Sequence, residues 1–112
     1  MTKVDINAEK WDKRFLSLAY HVGQWSKDQS ARTGSVIVGA DRIVRTMGYN
    51  GLVRGANDHD RSRHQRPEKY LWSEHAERNA IYNAARLGLS VDGCTIYVNW
   101  FPCGDCARAV VQ

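Results

Sequence analysis

Two short stretches constrain this 112-residue chain more than any other feature: "HAE", His75 to Glu77, and "PCGDC", Pro102 to Cys106. Histidine and cysteine at such positions are metal ligands or redox groups, and each stretch opens a helical pattern. If one metal joins His75 to Cys103 and Cys106, the starts of two helices must meet in space. Any fold for the chain has to place both helix N-termini on the same side of whatever lies between them.

The intervening pattern supplies a means. Trp11, Phe15, Leu18, Val22 and Trp25 recur at helical spacing, which predicts one long helix with Asn7 as its cap. "SVIVG" and "RIVRTMGY", joined by "ADR", predict an antiparallel hairpin. Residues 50–72 have no clean period and read as a long loop. A second helix is expected over His75 to Leu87, with Ala76, Ala80, Ile81 and Ala84 on one face and Gly88 as its C-cap. "CTIYVNW" predicts a third strand. Strand, helix and strand in that order suggest part of a parallel, helix-covered sheet, in which helix N-termini gather at the carboxyl ends of strands. A last helical stripe, Ala107, Val110 and Val111, is still running at Gln112. One domain over 1–112 is therefore expected, its thin sheet completed by a further segment or by another chain.

Composition excludes some classes. No apolar run approaches the roughly 20 residues that span a bilayer, and "MTKVDINAEK" lacks a signal-peptide core, so a cytoplasmic protein without a membrane partner is expected. Three cysteines, two of them paired as C-x-x-C, do not form a disulfide framework. The net charge of +4 fits a solvated basic surface or an anionic small-molecule substrate. Arg61, Arg63, Arg66 and Lys69 make the middle loop basic, but too few aromatics interleave them for a nucleic-acid platform.

A lone C-x-x-C is compatible with a redox pair or with half of a structural zinc site. A structural zinc closes with a fourth protein ligand, whereas a catalytic zinc keeps one position open. Cys94 reads as a small buried strand residue rather than that fourth ligand. His75, Cys103 and Cys106 thus make a three-ligand set, and Pro102 suits the first turn of a helix whose N-terminal amides favour thiolates. Glu77 stands two residues from the histidine, a carboxylate beside the three-ligand set. A non-catalytic zinc-binding interaction module, the competing class, has no need of that carboxylate.

H-x-E followed by P-C-x-x-C is the recognised signature of zinc nucleobase deaminases, with the glutamate as proton carrier. Over its whole length the chain resembles the deoxycytidylate (dCMP) deaminase family: "WDKRFLSLA", "SKD", "GSVIV", "GYNG", "HAERNAI" and "TIYVNWFPCGDCARAVVQ" carry the resemblance. "GYNG" and Phe101 narrow it to this branch. The resemblance implies a three-layer α/β/α cytidine deaminase-like fold with a mixed sheet, its C-terminal strands missing from this chain. It implies hydrolysis of dCMP to dUMP and ammonia, one catalytic Zn2+ per subunit and a homo-oligomer, a hexamer or a dimer. Asn50 matches the position that contacts the substrate sugar. In several members the region matching Gly48, Tyr49, Asn50 and Gly51 takes part in binding dCTP as activator, with dTTP as inhibitor. Arg32, with Lys27 and Ser30, lies where members bind the substrate phosphate, a task suited to a guanidinium. His59 and His64 with Asp58 and Asp60 could make a second metal site, though two histidines in a polar loop are more commonly just solvated. Deamination of another cytosine or purine nucleotide, nucleoside or nucleic-acid base is the alternative within enzymes.

Overall fold

The structure, a computed structural model, describes residues 6–28, 30–57, 59, 61–64, 73–100 and 103–112, with the side chains of all but 6, 7 and 62. Phe101, Pro102, Asp58, Asp60, Arg66 and Lys69 lie outside the described residues. Helix α1 spans Ile6–Gly23, strands β1 and β2 span Gly34–Val38 and Val44–Tyr49, and a short strand β3 covers Gly51–Leu52. A 3-10 turn at Arg61–His64 and strand β4 (Ser73–Glu74) precede helix α2 (Ala76–Leu87), strand β5 (Thr95–Val98) and helix α3 (Gly104–Val111).

The sheet is ordered β2-β1-β5, and both outer strands run antiparallel to β1. The parallel pairing read from the strand–helix–strand order is therefore corrected: among the described residues every ladder is antiparallel. β2 and β5 do point the same way, but β1 lies between them, so the α2 crossover skips one strand. The cause is the tight hairpin, closed by Gly39 N–H to Ile43 C=O at 3.0 Å and by Arg42 at φ 64°, which places β1 beside β2 before the crossover begins.

Burial of β1 on both faces makes the three layers. Val36 and Val38 face α1 and pack with Phe15 and Ala19, joined at the edge by Trp11, Leu18, Val44 and Tyr97. Ser35 turns the other way, toward α2. Every fourth residue of α2 on its inner face is a buried alanine, Ala76, Ala80 and Ala84, which lets that helix lie close to the sheet. Gly88 ends it at φ 69° in the left-handed region, with its N–H on the last carbonyls, as the C-cap pattern predicts. Two details of α1 differ from expectation. Asn7 lies inside the helix rather than capping it, and the helix stops at Gly23, which leaves Trp25 outside and half exposed.

Closeness between α2 and β2 depends on Gly48. A Cβ there would sit 2.5 Å from both the Ala76 oxygen and the Ala80 nitrogen, all rigid backbone. Gly48→Ala is expected to cost about 1–3 kcal/mol of stability by forcing helix and strand apart, measured as a lower urea midpoint.

Tyr97 closes the other face. Its hydroxyl donates to Asp12 Oδ1 at 2.6 Å and its ring packs 5.3 Å from that of Phe15. Burial first, then this hydrogen bond, push the phenol up to about 12. A raised phenol pKa stabilises the fold fully below the ordinary value near 10, and that contribution is lost as pH rises through about 12. Urea midpoints should therefore separate the parent from Tyr97→Phe by a constant margin at pH 8 to 9, and the margin should close as pH rises from about 10 through 12.

Candidate metal centre

Both metal-ligand stretches arrive as helix N-caps. His75 caps α2 (φ −84°, ψ 155°) and Cys103 caps α3 (φ −69°, ψ 169°), neither with a side-chain capping bond. Serine or aspartate would serve each helix better. Instead the two side chains turn toward each other, and Cys106, fully buried one turn into α3, joins them. His75 Nδ1 lies 3.3 Å from the sulfur of Cys103 and 3.3 Å from that of Cys106. Among the described residues this is the one group of three His, Cys, Asp or Glu side chains close enough to share an ion, with all ligand atoms within 4.8 Å.

The donor set fits zinc. Zn–S near 2.3 Å and Zn–N near 2.0 Å at a tetrahedral angle put neighbouring sulfur and nitrogen about 3.5 Å apart, close to the separations found here. Electrostatics agree. Burial, and after it a hydrogen bond and the charge from Glu77, push the Cys106 thiol far above its ordinary range, with Cys103 adding to the effect. A cluster of two sulfurs and a carboxylate, held together on two helix N-termini, is a place where a cation relieves repulsion.

Glu77 is 3% exposed and lies on the first turn of α2, beside the ligands rather than among them. The turn is pinned from several sides. Ser35 Oγ donates to the Ala76 carbonyl at 2.7 Å, Thr46 Oγ1 to the Ala80 carbonyl at 2.9 Å, and Asn79 Nδ2 to the Tyr49 carbonyl at 2.9 Å. β4 pairs Glu74 with Gly51, which ties the residue before His75 to the end of "GYNG". That two-residue ladder has no alternating pattern to betray it: sequence reasoning placed β3 within the loop and assigned no element to Ser73 and Glu74.

Several of the remaining candidates line a cavity of about 570 Å³ next to this turn. Trp25, Tyr49, Lys27, Asn50, Arg54 and Arg86 are among its walls, while His75, Glu77, Cys103 and Cys106 are not. Trp25 and Tyr49 meet edge to face, their centroids 6.1 Å apart. Asn50 is buried, with Nδ2 donating to the Ala31 carbonyl and Oδ1 accepting from the Thr33 N–H, both at 2.9 Å. Gly48, Tyr49 and Gly51 line the same cavity. Ser30 donates to Asp28 Oδ1 at 3.0 Å and Arg32 is exposed; neither lines it, though both lie on the loop that Lys27 opens. Arg54 and Arg86 were missed because single arginines in a loop and a helix carry no pattern. His59 is exposed, with its N–H on Asn57, and His64 lines the cavity; neither belongs to a metal-binding group among the described residues. Cys94 is half-buried, less enclosed than its strand position suggested. No described helix is long and apolar enough to cross a membrane.

Comparison with known proteins agrees with this geometry. The cytidine and deoxycytidylate deaminase zinc-binding region matches residues 9–112. A deaminase of uncharacterised activity from the luxG 3′ region of Aliivibrio fischeri is 45% identical over 103 residues, covering 92% of this chain and 67% of its own. Human deoxycytidylate deaminase is 33% identical over 108 residues, with 92% of this chain and 60% of the human protein aligned. The chain thus spans about 60% of that enzyme's length. The dCMP deaminase of cyanophage S-TIM5, solved in complex with dCMP and dUMP, superposes with a TM-score of 0.79 at 21% identity, over 98% of this chain and 77% of the phage protein, which places the fold. On the family match and the identities together, the chain belongs to the cytidine and deoxycytidylate deaminases and carries their zinc-binding region.

Proposed function

We propose that the protein is a Zn2+-dependent hydrolase that converts dCMP to dUMP with release of ammonia. The observation that carries this reading is the buried Glu77 carboxylate beside a three-ligand His75, Cys103 and Cys106 cluster. A structural zinc site would close on a fourth protein ligand and has no use for a buried acid at its edge. Bound zinc supplies a nucleophile at neutral pH by lowering the pKa of water.

Glu77 accepts a proton from the attacking water and passes it to ring N3, then takes the proton of the new C4 hydroxyl and gives it to the departing amine, so that water plus dCMP balances dUMP plus ammonia. Burial keeps this carboxylate within reach of reacting atoms and away from bulk water. The nucleotide's sugar lies against Asn50, whose amide, engaged once at each end, retains a second N–H and a second lone pair. Its phosphate is held from the loop of Lys27, Ser30 and Arg32, and Lys27 is the member that reaches the cavity wall. Gly48 to Gly51 line that cavity, which is large enough for a nucleotide and offers aromatic edges with arginine nearby. This supports an effector role for the segment, with dCTP and dTTP as its ligands, in a cytoplasmic homo-oligomer.

The test is ammonia release by the purified, zinc-loaded protein across dCMP, CMP, dCTP, deoxycytidine, cytosine and guanine. Turnover greatest with dCMP is expected. Activity confined to another compound would overturn the substrate, and no activity on any would overturn the enzyme reading.

A further inference from the structure

We propose that Ser35 is a positioning residue for the metal centre: its hydroxyl sets the first turn of α2, from which His75 and Glu77 project. The inference rests on the metal reading above and concerns a residue outside the cluster. Ser35 is the polar member of a strand otherwise built of glycine and β-branched residues, and it is 0% exposed. A buried hydroxyl is tolerated only with a partner. Its oxygen lies 2.7 Å from the Ala76 carbonyl and 3.4 Å from that of Gly48, so its single proton goes to Ala76. Ala76 is the residue between His75 and Glu77, and its carbonyl moves with both.

This bond anchors through a carbonyl a turn whose own N-cap makes no side-chain bond to its amides. His75 occupies the N-cap position but turns its ring to the cysteines and makes no capping bond. An uncapped first turn frays unless it is held from the side. Ser35 holds it from β1, the central strand, at the one carbonyl flanked by the two functional residues. Thr46 makes a similar bond one turn on, to the Ala80 carbonyl at 2.9 Å, beyond both of them. The two hydroxyls are thus alike in burial and partner type and differ in distance from the ligand.

Co2+ titration followed by its visible absorption reads the geometry and affinity of the site without any turnover. Ser35→Ala and Thr46→Val are expected to lower the melting temperature by similar small amounts. Ser35→Ala alone should bind Co2+ about 10-fold more weakly, with altered d–d bands, as when a group that orients a metal ligand is lost. Ser35→Cys, near in volume and a weaker donor, is expected to show the same loss and serves if Ser35→Ala does not fold. Parent-like affinity in the folded Ser35 variant, or an equal loss in Thr46→Val, would overturn the assignment. Absence of Co2+ binding by the parent protein would overturn the metal reading itself, and this inference with it.

Discussion

Glu77→Ala is expected to keep the metal and lose deamination, by about 100- to 10,000-fold, the range that a positioned acid–base group contributes. The carboxylate is buried and stands beside the cluster of His75, Cys103 and Cys106 without belonging to it. Removing it takes away none of the three grouped ligand atoms, so metal retention should not suffer. Metal content by atomic absorption, measured beside ammonia release, separates the two roles. A variant that loses both would make Glu77 a ligand. A variant that keeps both would remove it from the chemistry and leave the interaction-module reading standing.

Cys103→Ser should change stability in opposite directions with and without metal. Cys103 is an N-cap that makes no capping bond, and serine at that position gains about 1 kcal/mol by accepting from the first-turn amides. In chelator the variant is therefore expected to unfold at slightly higher urea than the parent. In zinc the order reverses. A ligand at 1,000 times its dissociation constant stabilises the folded protein by about 4 kcal/mol, and the serine variant forfeits most of that by losing one of three ligands. Urea midpoints in chelator and in excess zinc test both signs. An equal zinc gain in parent and variant would exclude Cys103 from the site.

Much of the fold was legible because it rests on local patterns. The β-branched runs in "SVIVG" and "RIVRTMGY", the alanine face of α2 and the glycine at its end each report a propensity, a period or a backbone angle that neighbouring residues impose. The hairpin, the helices and the family resemblance followed, and the structure and comparisons bear them out. What failed to follow was non-local. A strand–helix–strand order says which way strands point, not which strand lies between them, and β1 occupies that place. β3 and β4 are held by two residues each, in polar sequence with no period.

The candidate site divides along the same line. Residue types, their order and the deaminase signature they match named His75, Cys103, Cys106 and Glu77, because zinc chemistry admits few side chains and the motif spaces them on two helix starts. Tertiary structure decided that the two starts converge, with the imidazole 3.3 Å from each sulfur. It decided that Asn50 is tied to the backbone of Ala31 and Thr33, that Arg54 and Arg86 face the cavity while Arg32 stays outside it, and that Ser35 and Gly48 seat the helix. These depend on how closely α2 lies on the sheet, a distance set by packing among residues far apart in the chain. A motif records which atoms can react, and packing determines which of them meet.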